Sequence, residues 1–136
     1  ASMSSKLVPA LSTALLLTGC SNMTSTSLPL DTTYKVEWIG DRPLIDRSHL
    51  TVTLTSDGRA YGHAGCNRWF ASYQTNGQNL SFDHAGATRM ACAPALMEQE
   101  DRFLQALGQV KRWEIGENGE LRLWYAEGQA LRLLAE

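Results

Sequence analysis

Residues 65–73 read Gly-Cys-Asn-Arg-Trp-Phe-Ala-Ser-Tyr, GCNRWFASY. A glycine and an asparagine bracket the cysteine, and aromatic residues follow. Side chains alternate between the two faces of a strand, so Trp69 and Tyr73, four positions apart, fall on one side. Both are read as filling a core or a barrel mouth, with Asn67 bonding backbone at a turn or strand start. The residues alone leave Cys66 open to three roles: half of a disulfide, a buried thiol, or a metal ligand or nucleophile.

On either side of this stretch the chain is punctuated by turns. Asp57-Gly58, Asn76-Gly77, Asn118-Gly119 and Glu127-Gly128 suit tight hairpins, which demand positive φ. Short alternating runs lie between them. Leu50, Val52 and Leu54 share one face, with Thr51, Thr53 and Thr55 on the other; Trp113 with Ile115, Leu121 with Leu123 and Tyr125, and Leu131 with Leu133 repeat the pattern. One segment departs from period two. From Pro94 to about Val110, Leu96, Met97, Phe103, Leu104 and Leu107 fall on one helical face, while Glu98, Gln99, Asp101, Arg102 and Gln105 fall opposite. Pro94 suits a first turn and Gly108 a stop, and Glu98 and Arg102 are spaced to pair. The expected fold is α+β and mainly β. About eight short, mostly antiparallel strands form a small curled sheet or barrel, with one helix against an open side or end.

The chain has 136 residues and a net charge of -2, enough for one small domain and without the clustered basic face of a nucleic-acid binder. Its first twenty residues differ from the rest. Met3 reads as the natural start, with Ala1 and Ser2 a cloning remnant. Lys6 precedes an uncharged apolar run, Leu7 to Leu17, too short to cross a bilayer and suited to a signal peptide. The run ends in Leu17-Thr18-Gly19-Cys20, which resembles a bacterial lipobox. Cleavage of a signal peptide at 1–19 and acylation of Cys20 with palmitate-type chains are expected, because several chains make an anchor stable where one is marginal. Ser21, in place of Asp, fits sorting to the outer membrane. Residues 20–33, rich in Ser and Thr, read as a flexible tether, and residues 34–136 as the domain, facing the periplasm.

That placement bears on the remaining cysteines. Cys66 and Cys92 form an even pair in an exported chain, where disulfides persist. A disulfide is the favoured reading, two buried thiols the next. His63, Cys66, His84 and Cys92 are zinc-type ligands in kind, but their spacing matches no compact knuckle. A thiol nucleophile needs a positioned base; His49, between Ser48 and Leu50, reads as a strand-end residue. Glu98, Glu100 and Asp101 read as charges complementing the helix dipole. No catalytic residues, metal or cofactor are assigned.

Gly65-Cys66-Asn67-Arg68-Trp69-Phe70, Tyr73, Leu80 and Phe82, Thr88-Arg89-Met90-Ala91-Cys92, then Glu98 and Phe103-Leu104 together resemble the META domain, the domain of the HslJ-like bacterial heat-shock proteins. The opening strand from Tyr34 to Trp38 is similar as well. Ala71 departs from the pattern, which often has glycine there, and suggests a less extreme backbone at that bend. The resemblance implies a mixed β fold akin in shape to a lipocalin-like partial barrel with one helix. It also implies an envelope or secreted protein connected with heat shock, antibiotic tolerance or secretion, and it brings no catalytic set. The two motif cysteines suit a staple between the Cys66 strand and the segment leading into the helix.

The expected activity is therefore non-enzymatic. The chain is read as an outer-membrane lipoprotein, monomeric, acting in envelope stress tolerance or secretion-related assembly by binding another envelope protein. Arg68, Trp69 and Arg89 are the candidate binding surface, because Arg and Trp dominate binding hot spots; packing is the competing role for the same constellation. The alternative is a carrier holding a lipid or other small apolar molecule in a barrel cavity.

Overall fold

The turn dipeptides place the hairpins. Gly77 (φ 63°) and Gly128 (φ 73°) adopt the left-handed backbone that lets the strand Arg68–Asn76 return as Asn79–Ala87 and Leu121–Ala126 as Gln129–Ala135. A computed structural model describes residues 27–136. The elements run β1 (Thr33–Ile39), β2 (Arg42–Pro43), β3 (Thr51–Leu54), β4 (Arg59–His63), β5 (Arg68–Asn76), β6 (Asn79–Ala87), α1 (Pro94–Gly108), β7 (Arg112–Ile115), β8 (Leu121–Ala126) and β9 (Gln129–Ala135). The architecture is α+β and mainly β, as the turns and alternation indicate. The described residues form nine strands where about eight were expected. The extra one, β2, is two residues long and too short to show any alternation.

All pairings are antiparallel, in the order β2-β1-β3-β4-β5-β6-β7-β8-β9, and β1 also pairs with β9. The sheet therefore curls until its ends meet. Its thin seam lies between β6 and β7, which share one register pair, Asn79 with Arg112. Two backbone bonds flank it, from Leu80 N–H to the Lys111 carbonyl and from Trp113 N–H to the Gln78 carbonyl, both 2.9 Å. Beyond Leu80, β6 has no strand on that side, and α1 packs beside it.

Alternation fills the inside. Leu50, Val52 and Leu54 from the β3 region, Leu121 and Leu123 from β8, and Leu131 and Leu133 from β9 are all buried, and Phe103 and Leu107 of α1 close the core. Burial of each such side chain contributes about 1.5–3 kcal/mol. Within the seam strand, one residue of β5, Ala71, faces two of β6, His84 and Ala85. This β-bulge puts His84 at φ 55°, while Ala71 itself does not have positive φ. The residue that replaces the family's glycine thus needs no special backbone, because β6 absorbs the irregularity.

The helix ends at Gly108, where Gln109 N–H turns back to the Ala106 carbonyl at 3.0 Å. Its faces differ from the periodic reading in one respect. Gln99, expected on the solvent side, is buried: its Oε1 accepts from Ile45 N–H (2.8 Å) and its Nε2 donates to Ser48 Oγ (3.1 Å). The β2–β3 connection lies over α1, and its backbone needs a polar partner there. The dipole reading of the acidic residues is also corrected. Glu98 is the fifth residue of α1, the first turn holds no acid, and the dipole acts only within that turn.

The signal peptide, Cys20 and the start of the tether lie outside the described residues. Within the described part of the tether, Leu28 packs against the core and Asp31 N–H bonds the Leu54 carbonyl at 2.6 Å. β1 begins at Thr33.

Candidate functional site: the Asn67 knot and the groove beside β6

Between β4 and β5 the chain turns through Ala64–Asn67, with Gly65 at φ 110° and Ala64 N–H bonding the Asn67 carbonyl at 2.7 Å. Asn67 is 2% exposed. Its amide nitrogen donates to the Met90 carbonyl (3.1 Å) and to Glu100 Oε2 (2.7 Å). Its oxygen accepts from Met90 N–H (2.6 Å) and from the Thr88 hydroxyl (3.0 Å). Two donors and two lone pairs are the full capacity of an amide, so Asn67 is completely used.

Glu100, read from the sequence as a charge for the helix dipole, is 4% exposed. Its Oε1 accepts from the backbone N–H of Cys66 (3.1 Å) and Asn67 (2.7 Å). A buried carboxylate is tolerable when such donors replace water. Together the two side chains tie the β4–β5 turn, the segment 88–93 and α1 into one knot. The signal for Glu100 was present: it precedes Phe103 by three and Leu107 by seven, which is the spacing of the apolar face.

Beside the knot Cys66 and Cys92 form a disulfide across a separation of 26 residues. The staple joins the two motif segments, so neither sulfur is a thiol or a ligand. The other two zinc-type residues part company. His63 stacks on His49, ring centres 5.3 Å apart, and His84 sits at the β6 bulge. Among the described residues no three His, Cys, Asp or Glu side chains are placed to hold a metal.

Trp69 is corrected from the binding surface to the core. It is 2% exposed and meets Phe82 and Phe103 edge-on, each at 6.1 Å. Its indole N–H donates to the Thr51 carbonyl at 3.0 Å. The N–H of His63 goes instead to Thr51 Oγ1, also at 3.0 Å. Gly62 makes this junction possible: a Cβ there would lie 2.0 Å from the Thr51 carbonyl oxygen. Inward-facing large aromatics belong to packing, the competing role assigned to the motif.

The two arginines are exposed but line different clefts. Arg68 borders a cleft of about 530 Å³ with His49, His63, Tyr61 and Phe70, and the buried Trp69 forms part of its wall. Arg89 borders a groove of about 430 Å³ between β6 and α1, walled by Ala85, Ala87, Met90, Met97 and Leu104. Met90 is 59% exposed. The floor of this groove is the knot itself, since Asn67 and Glu100 also line it. Its β6 wall is the half of the strand that has no partner across the seam. The groove therefore offers a rigid base, flexible thioethers that adapt to varied surfaces, one cation and a sheet edge.

A family model described as the META domain matches residues 26–136. Three solved structures are similar. A protein from Burkholderia xenovorans, solved by NMR, is 25% identical with a TM-score of 0.64, over 89% of this chain and 99% of that one. A second protein solved by NMR is 22% identical with a TM-score of 0.61, over 76% and 87%. The crystal structure of a DUF4847 family protein from Bacteroides vulgatus is 13% identical with a TM-score of 0.55, over 86% and 96%. These last two bear on the fold alone. No curated protein matches.

Proposed function

The chain belongs to the META domain family, and from that premise we propose that it is a non-enzymatic envelope lipoprotein that binds another envelope protein in the groove between β6 and α1. The observation that carries this reading is the conjunction of an unpartnered half-strand with a methionine-lined groove bordered by Arg89. Exposed strand edges accept extended segments of partner chains, with backbone bonds for affinity and side-chain pockets for specificity. The lipobox ending at Cys20 supports an outer-membrane anchor with the domain facing the periplasm. The Cys66–Cys92 bond suits that oxidising compartment, and it takes up the sulfur that thiol or zinc chemistry would need. Such binding serves envelope stress tolerance or secretion-related assembly.

A carrier role is less well supported. The core leucines from β3, β8 and β9 fill the inside of the curled sheet and line none of the clefts described above. Photo-cross-linking in living cells tests the binding reading. A photoreactive residue at Met90 or Arg89 is expected to capture one dominant envelope protein, while the same residue at Glu127, at the β8–β9 turn, captures none. Equal capture from both places, or background alone at Met90, counts against it.

A further inference from the structure

Away from the groove, the register of β7, β8, β9 and β1 builds a second surface. Glu114, Arg122, Arg132 and Trp38 form one cross-strand row. Arg112 lies opposite Trp124 in the next row. The Arg132 guanidinium sits 5.2 Å over the Trp38 ring, and that of Arg112 sits 4.8 Å over Trp124. Arg122 is neutralised by Glu120 and Glu114. Among the described residues, Arg112, Arg132 and Lys35 have no carboxylate within salt-bridge distance. Trp38 is 36% exposed, and Leu134, opposite Lys35 in the register, is 46% exposed.

Tryptophan and arginine on one face suit a boundary between apolar and anionic matter. The indole settles at the headgroup level of a bilayer, and a weakly hydrated guanidinium binds phosphate oxygens in a fork. The chain also enters this face directly. Residues 20–32 lead into β1, the strand that carries Lys35 and Trp38. From Cys20 to Leu28, where the chain already packs on the core, an extended chain reaches on the order of 28 Å, enough for the face to meet the leaflet that holds the anchor. We propose that this face rests on an anionic phospholipid surface, with Arg112 and Arg132 on lipid phosphates and Trp38 and Leu134 at the acyl boundary. The proposal rests on the lipid-anchored reading, which supplies the membrane and raises the local concentration of the face.

The test separates the face from the anchor. The chain from residue 20, as lipobox cleavage leaves it, is prepared with Cys20→Ser and sedimented with vesicles. It is expected to bind vesicles of phosphatidylglycerol and phosphatidylethanolamine, not phosphatidylcholine alone, and to be released at high salt. Arg112→Gln with Arg132→Gln lowers partitioning roughly fivefold per arginine, and Trp38→Ala lowers it further. Arg47→Gln with Arg59→Gln, the same charge change at exposed positions outside this face, leaves most of the binding intact; thermal melts check that each variant folds. Equal binding to neutral vesicles, no binding, or equal loss from both arginine pairs overturns the proposal. Failure of the anchor shows elsewhere, as an unacylated Cys20 in the native protein.

Discussion

Replacing Glu100 tests the knot most severely. The Glu100→Ala change strips the carboxylate from three buried donors: the N–H groups of Cys66 and Asn67 and the Asn67 side-chain amide. An unsatisfied buried donor costs about 1–3 kcal/mol, and three are left without their acceptor. We expect about 4 kcal/mol, a large share of the stability of a domain this size. Glu100→Gln keeps an oxygen for the two backbone donors but turns an amide N–H₂ toward the amide of Asn67. Flipping Asn67 does not rescue it, because its oxygen is already held by Met90 N–H and Thr88. The cost is then one charge-assisted bond, about 2 kcal/mol. Urea unfolding of the oxidised protein reads both as shifts of midpoint at constant slope. A cost below about 1 kcal/mol for the alanine, or equal costs for both variants, would refute the reasoning.

Three further outcomes follow from the same structure. Reducing the Cys66–Cys92 bond frees a loop of 26 residues and should cost about 3.5 kcal/mol in the chain-entropy model; unchanged melting with and without reductant contradicts this. Gly62→Ala drives a Cβ into the Thr51 carbonyl and should destabilise by about 1–3 kcal/mol, whereas Gly77→Ala meets no atom and pays only for its positive φ; nuclear magnetic resonance should place the first variant's shifts along β3 and β4. Burial, aided by the negative charges of Asp31 and Asp57, holds the Tyr73 phenol above its ordinary value. Its contribution is therefore complete below the unfolded value near 10 and is lost as pH climbs through the raised folded one. Tyr73→Phe should flatten the alkaline fall in stability, and tyrosinate absorbance should show two groups titrating late, Tyr73 and Tyr125, of which the variant keeps one.

Where a residue's role depended on its immediate neighbours in sequence, the sequence was legible. The turn glycines, the alternation on β3, β8 and β9, and the helix from Pro94 to Gly108 all follow from periods of two or 3.6. The Cys66–Cys92 pairing followed from counting cysteines in a chain read as exported. Roles set by distant segments were not legible. Glu100 looked like one more acid among Glu98 and Asp101; its spacing put it on the apolar face, but the donors it accepts from arrive with the Cys66–Asn67 turn, thirty-odd residues away. Gln99 is buried for the same kind of reason, because the β2–β3 connection lies over it. Trp69 drew attention as a hot-spot type, yet strand alternation had already placed it on the inner face with Tyr73. The aromatic identity suggested binding; the period, which is the stronger signal, indicated packing. The row of Arg122, Arg132 and Trp38 exists only through the register of three strands, one of them from the opposite end of the chain.

An anchored envelope protein with a stapled domain is tested most directly by one intact mass. The protein is purified from its own cell envelope, with thiols alkylated before any reductant is added. The account predicts a chain that begins at Cys20, carries fatty acyl groups on that residue, and takes up no alkylating agent. A chain that keeps residues 1–19 without acylation, or one alkylated at Cys66 and Cys92, would contradict it.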